Sequence, residues 1–193
     1  MTTMEQALQS LGPAMTDYVA SARSAVAQRV VRDGRVDRKL ADREQRALHG
    51  LAWISSQAEA VRQAATWAAR LAAEGKLTET TQLALGIGIA EYVDQLTSGV
   101  PMSQSEIFRP SEIGLEDEAA RLRAHSGVAH FLTTGNTVET RADLVAHLNS
   151  GDRVEEGLGD ETLDMIRDQF RRFANERVLP GAHEWHLKDE LIP

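Results

Sequence analysis

Asp164-Met-Ile-Arg-Asp-Gln-Phe-Arg-Arg-Phe-Ala-Asn-Glu-Arg-Val-Leu-Pro-Gly-Ala-His-Glu-Trp-His186 is the stretch from which the rest of the chain is best read. Leu163, Ile166, Phe170, Phe173, Ala174 and Val178 recur at steps of three and four. That spacing brings side chains to one face of an α-helix. The pattern predicts a buried amphipathic helix. Pro180-Gly181 predicts a break in it, since proline has no N–H to donate. Trp185 and Ile192 follow the break.

Working back towards the N-terminus, no alternating Val/Ile/Thr run suggests a strand. Ala, Leu, Glu, Arg and Gln dominate, so the chain is expected to be all-α. A first helix is expected from Met4 to Val31, kinked or restarted at Gly12-Pro13 and ended by Asp33-Gly34. A second opens at Asp37, an N-cap residue, and runs to Glu74. Its buried stripe is expected to be Leu48, Leu51, Ala58, Val61, Ala65, Ala68 and Ala72, and Gly75 stops it. A third starts behind Thr78 and runs to Leu96. The short turn between the two makes them an antiparallel hairpin, half of a four-helix bundle.

Residues 100–115 read as an irregular connector, marked by Pro101, Pro110 and Gly114. Helix resumes from Glu116 to Thr133. Thr137 then caps a short helix with Leu144, Val145 and Leu148 facing inward, ended by Asn149-Ser-Gly151. Residues 151–159 are polar, acidic and glycine-rich, as a linker would be. The expected organisation is a helical bundle over 1–150, a linker over 151–159 and a further helical unit from 160 to 193.

Bulk composition narrows the function classes. Hydrophobic residues make up 42% of the 193 and charged residues 26%, enough for a real core. A net charge of −8 argues against nonspecific nucleic-acid or anionic-membrane partners, which attract basic surfaces. There is no cysteine, which removes disulfides, thiolate chemistry and cysteine-rich zinc sites. No signal-peptide pattern or long uncharged apolar run is visible, so a cytoplasmic protein is expected.

Few constellations suggest chemistry. His183 and His186 stand three apart, but two imidazoles near a helix end read as a solvated or capping pair. His125 and His130 are five apart, and none of the six histidines has Glu three residues before it, as carboxylate-bridged di-iron bundles require. Gly86-Ile-Gly88 lacks the third glycine of a dinucleotide fingerprint and any preceding strand, so it reads as a close helix contact. Trp53 and Trp67 read as space-fillers between helices. Glu155-Glu156 and Asp160-Glu161 sit where charge stays hydrated, and no Gly-x-Ser-x-Gly occurs. No catalytic, cofactor-binding or metal-binding residue is assigned. The connector Pro101-Met-Ser-Gln-Ser-Glu-Ile-Phe-Arg-Pro110 holds the remaining candidates. Ser103, Gln104 and Ser105 can satisfy its backbone groups. Ser103, Gln104 and Arg109 are also candidates for an interface, with Arg109 able to pair with a carboxylate or a CoA phosphate.

The order Phe170, Phe173, Ala174, Glu176, Val178, Pro180, Ala182, Glu184, Trp185, and then Pro193, resembles the opening helix of the acyl-CoA dehydrogenase family. The strong match covers about 30 residues, from Asp160 to Pro193. Ala47-Leu-His-Gly-Leu-Ala-Trp53, Glu59 to Trp67, Gln82 to Val93 and Gly99 to Pro110 resemble, in this order, the long N-terminal helical extension of a subset of bacterial members. The resemblance implies FAD-dependent oxidation of a short, branched acyl-CoA, with the remaining dehydrogenase domains on the same polypeptide and a homo-oligomer of two-fold symmetry. It also implies that the catalytic glutamate and most of the flavin site lie outside these residues, and that this segment is structural and inert alone. The rival reading is a stand-alone helical interaction or scaffold protein. Trp185, Leu187, Leu191 and Ile192 separate the two: poorly buried in a segment of a larger protein, buried in a complete small one.

Overall fold

The computed structural model describes residues 3–191, so Ile192 and Pro193 lie outside the described residues. Two compact units emerge, Met1–Val154 and Glu155–Pro193. Both are helical, as expected for an all-α chain.

In the first unit, α1 spans Met4–Val30, opened by Thr3 and Gln6, each side chain bonding the other's backbone N–H. The expected kink at Pro13 does not divide the helix. Pro13 and Gln9 are exposed, so the helix meets the proline on its solvent side, while buried Leu11 and Met15 hold the flanking turns to the core. A small antiparallel pair follows that the sequence reading missed: β1, Val31–Arg32, with β2, Arg35–Val36. Asp33 (φ 51°) and Gly34 (φ 74°) form the tight turn between them.

Asp37 caps α2, Arg38–Arg43, by accepting the Leu40 N–H. The helix expected to run on to Glu74 is interrupted once, at Glu44, and continues as α3, Gln45–Ala73. Gly75 (φ 66°) ends it: the Lys76 N–H bonds Leu71 O and the Gly75 N–H bonds Ala72 O. Thr78 caps α4, Glu79–Ser98. The buried stripe of α3 differs from expectation at both ends. Ala58, Val61, Ala65 and Ala68 are buried as read, whereas Leu48 and Leu51 are half-buried and Ala72 is exposed. Ala47, Gly50, Ile54 and Leu71 complete the stripe.

The connector is less irregular than its prolines suggested. β3, Val100–Pro101, pairs with β4, Ile107–Phe108, and a 3-10 turn follows over Pro110–Ile113. The expected helix from 116 to 133 divides at His125 (ψ 130°) into α5, Glu116–Ala124, and α6, Ser126–Thr134. Thr137 caps α7, Val138–Asn149. Its expected inward face is wrong. Leu144 is half-buried, but Val145 and Leu148 are exposed. Polar contacts hold α7 to α4 instead: Arg141 bonds Glu91 (2.9 Å) and Asn136 (2.6 Å), and Asn136 also reaches Glu91.

The core lies where α1, α3, α4 and α6 meet, with Leu11, Met15, Ile54, Leu96 and Phe131 fully enclosed. Small residues set the spacing. Gly86 does mark a close helix contact: a Cβ on Gly135 would lie 2.5 Å from Gly86 O. Gly88 has open space beside it. Gly127 sits against Ala7, where a Cβ would lie 2.8 Å from the Ala7 carbonyl oxygen. Tyr18 donates its hydroxyl to Leu96 O (2.8 Å), and burial, reinforced by Glu118, pushes its pKa up.

In the second unit, Asp160 caps α8, Glu161–Phe173, accepting from Thr162 and Leu163. The break expected at Pro180-Gly181 falls a turn earlier, as a π-helical turn over Ala174–Val178, and α9, Leu179–Lys188, runs through both residues. Proline explains the shift. Without an N–H it cannot close the i→i−4 bond, and a widened turn before it absorbs the mismatch while Pro180 sits in the first turn of α9, where no donor is needed. The helix is amphipathic as read but not buried: Phe170 is 73% exposed and Phe173 58%.

Gly50 packs against the ring of buried Phe108, and a Cβ there would run into it. Gly50→Ala is expected to destabilise the first unit by about 1–3 kcal/mol through overpacking, despite the better helix propensity of alanine. Urea unfolding followed by circular dichroism measures this. An unchanged or raised midpoint contradicts the packing at that position.

Candidate functional site

The connector between α4 and α5 owes its shape to one arginine that the sequence reading did not single out. Arg46, in the first turn of α3, donates from Nε to Glu112 (2.6 Å) and from a terminal nitrogen to the same carboxylate (3.1 Å) and to Ile107 O (2.9 Å). Its guanidinium also stands 5.9 Å from the Phe108 ring centroid. The Arg109 backbone N–H adds a third bond to Glu112 (2.9 Å). Hydrogen bonds from Arg46, then the Arg109 N–H and the charges of both arginines, hold the Glu112 carboxyl below the usual glutamate range. Glu112 in turn raises Arg46 above the usual arginine value. The bonds to Ile107 O and from the Arg109 N–H tie the Arg46–Glu112 pair to the connector's backbone, so the cluster acts as a clasp.

The three residues proposed from sequence are near one another in this connector but not equivalent. Ser103 and Gln104 are exposed at the turn between β3 and β4. The turn is closed by main chain: the Met102 N–H (2.8 Å) and the Ser103 N–H (3.4 Å) both reach Glu106 O. Arg109 is exposed, and its guanidinium forms no ion pair among the described residues. Ile107, 43% exposed, lies beside it. The clasp therefore presents a cation and an apolar side chain on a rigid mount.

A second surface lies between α3 and α4. An apolar cleft of about 380 Å³ is walled by Val61, Trp67, Leu85, Ile89 and Tyr92, with Gly88 at its floor. Trp67, at this cleft, and Trp53, whose indole N–H donates to His49 (2.9 Å), are both half-buried and pack against the core, as expected of space-filling side chains. His183 and His186 are exposed. His125 marks the junction of α5 and α6.

The exposed face of α8 carries the Phe-x-x-Phe-Ala pattern that resembles the acyl-CoA dehydrogenases, and comparison of the chain with known proteins finds a similarity to a dehydrogenase of that kind. No family model matches it. Over 186 residues, 94% of its length, it is 45% identical to (2S)-methylsuccinyl-CoA dehydrogenase of Cereibacter sphaeroides. The match takes in 33% of that protein, so the chain spans about a third of the length of the relative it matches. No described helix is long and apolar enough to cross a membrane.

Because the folded pKa of Glu112 lies below the unfolded one, its contribution to stability is complete above the ordinary glutamate value of about 4.3. It is lost as pH falls through the lower folded value. Amide hydrogen-exchange protection across residues 100–109 is expected to fall as the solution is acidified below about pH 4. Glu112→Gln should weaken that protection at neutral pH and remove the acid step. Identical profiles for the two proteins contradict the clasp.

Proposed function

We propose that this chain is the N-terminal part of an FAD-dependent acyl-CoA dehydrogenase that oxidises a short, branched acyl-CoA, (2S)-methylsuccinyl-CoA to mesaconyl-CoA. The observation that carries the reading is the 45% identity running through 94% of the chain but only a third of the relative. In this account residues 1–150 are a helical extension, 151–159 a linker, and 160–193 the start of the dehydrogenase's own helical domain. The exposure of α8 and α9 supports it, since Phe170 and Phe173 on the first and Leu179 and Leu187 on the second are left largely uncovered by their own unit. So do Leu187 and Leu191, 71% and 92% exposed, and half-buried Trp185. Ile192 lies outside the described residues. Remaining domains of the same cytoplasmic polypeptide, in a homo-oligomer, would cover these side chains.

The α3–α4 cleft suits a flavin poorly, because its largely apolar walls offer the pyrophosphate and the flavin's polar edge few partners. We therefore assign FAD, and the chemistry it supplies, to the remainder of the enzyme. The segment's own role is structural, and alone it is inactive. Ser103, Gln104 and Arg109 would line a contact with the catalytic domains, another subunit or the CoA moiety.

The product from its natural source should be a protein much larger than 21.2 kDa. It should be yellow, and bleached by (2S)-methylsuccinyl-CoA. A colourless product of 21.2 kDa would leave the free-standing interaction protein instead. In the full-length enzyme, Arg109→Ala should raise KM for the acyl-CoA about tenfold, the loss of one charge-assisted bond, with kcat little changed. Unchanged KM and unchanged assembly would remove Arg109 from the contact.

A further inference from the structure

The cleft between α3 and α4 holds space that the fold itself does not use. Its volume, about 380 Å³, lies inside the range of small-molecule sites, roughly 300–1,000 Å³. Gly88 lines it from the interior of α4. Glycine is among the poorest helix formers, so its presence mid-helix calls for a reason. The usual reasons do not apply. Its backbone is not left-handed, and a Cβ built on it would meet nothing within 4 Å. Gly86, one position removed, differs in this respect, because it lies against Gly135. The space over Gly88 is therefore free for a group that the described chain does not supply.

The lining states what that group would be. Neither Lys nor Arg lines the cleft, so an anion finds no counter-charge there. Glu91 is the charged residue in the lining, and Arg141 (2.9 Å) and Asn136 already engage its carboxylate, so a cation gains little. Trp67 and Tyr92 are the largest of the remaining walls, and the Tyr92 hydroxyl forms no hydrogen bond among the described residues. Val154 is the one described wall residue outside α3 and α4. It is held in place from within the first unit. Two positions earlier, the Asp152 carboxylate lies 2.7 Å from His147 Nδ1 and accepts from the Thr80 hydroxyl (3.4 Å), and the Asp152 N–H bonds His147 O (3.1 Å). The walls are thus formed before anything binds.

We infer that the α3–α4 cleft is a binding site for a small, uncharged, largely apolar molecule that seats over Gly88 against Trp67 and Tyr92. Burial of its apolar surface supplies the affinity, and the Tyr92 hydroxyl is available to a single polar group on it. The site lies wholly within the first unit, so the inference does not depend on the dehydrogenase reading.

Two dyes that share one ring system test it on the 193-residue chain: N-phenyl-1-naphthylamine, which is uncharged, and its sulfonate, 8-anilinonaphthalene-1-sulfonate. Trp53→Phe with Trp185→Phe leaves Trp67 as the only tryptophan, so energy transfer from it reports arrival at the cleft. The neutral dye should quench Trp67 saturably, with one molecule bound per chain. The sulfonate should bind at least about tenfold more weakly, because its charge has no partner there. Adding Gly88→Leu should abolish the transfer. That variant should melt no lower than its parent, since leucine is the better helix former and has open space to enter, so loss of binding cannot be unfolding. Phe170→Ser with Phe173→Ser, which removes exposed apolar side chains from α8, should leave binding unchanged. Transfer that survives Gly88→Leu, is lost with the α8 variant or is equal for the two dyes overturns the inference. So does a Gly88→Leu chain that melts lower. Absence of saturable quenching by the neutral dye also overturns it, and leaves the cleft to an apolar side chain of a covering protein.

Discussion

The close approach of α1 and α3 is the constraint on which the first unit depends. Alanines at 47, 58, 65 and 68 keep the buried stripe of α3 low, and α1, with Leu11, Met15 and Val26 buried, packs along it. Buried apolar area supplies the driving force, and the small residues set how near the two backbones come. The other elements are placed from this pair. Phe108 fits over Gly50, Tyr18 reaches the end of α4, and Gly127 seats α6 against Ala7.

On that base the chain uses its polar residues sparingly. Arg46 alone takes a carboxylate, a carbonyl and a ring face, and so turns a proline-marked stretch into a fixed connector. Glu91 does similar work for α7, whose apolar residues are too few to bury it. The second unit is built by a different logic. Asp160 caps α8 and Asp164 and Glu156 pair with Arg167 and Arg171, while its apolar face is not enclosed by its own residues. A helix with satisfied polar groups and an uncovered apolar stripe is formed to be packed against something.

Most of the helical framework was legible in the sequence because caps and stops are local. Asp37, Thr78, Thr137 and Gly75 act where they were read. What was missed depended on distant partners. Nothing near Arg46 in sequence points to Glu112, 66 positions away. The inward face assigned to α7 failed because periodicity marks which residues share a side, not whether another element covers that side. Pro13 and Pro180 both suggest breaks, yet α1 runs on through the first on its solvent side and the second discontinuity is absorbed in a π turn. The short strand pairs escaped notice because two residues cannot show alternation. Of the site residues, Arg109 was legible as an exposed cation, whereas the clasp that orients its backbone was not.

The central claim is that the apolar face of α8 and α9 is covered by the rest of a larger protein. Hydrogen exchange over residues 161–188 tests it most directly, compared between the 193-residue chain and the protein isolated from its natural source. The account predicts exchange at least tenfold slower in the latter, as expected when a marginal helix is packed. Equal exchange in both samples would contradict it.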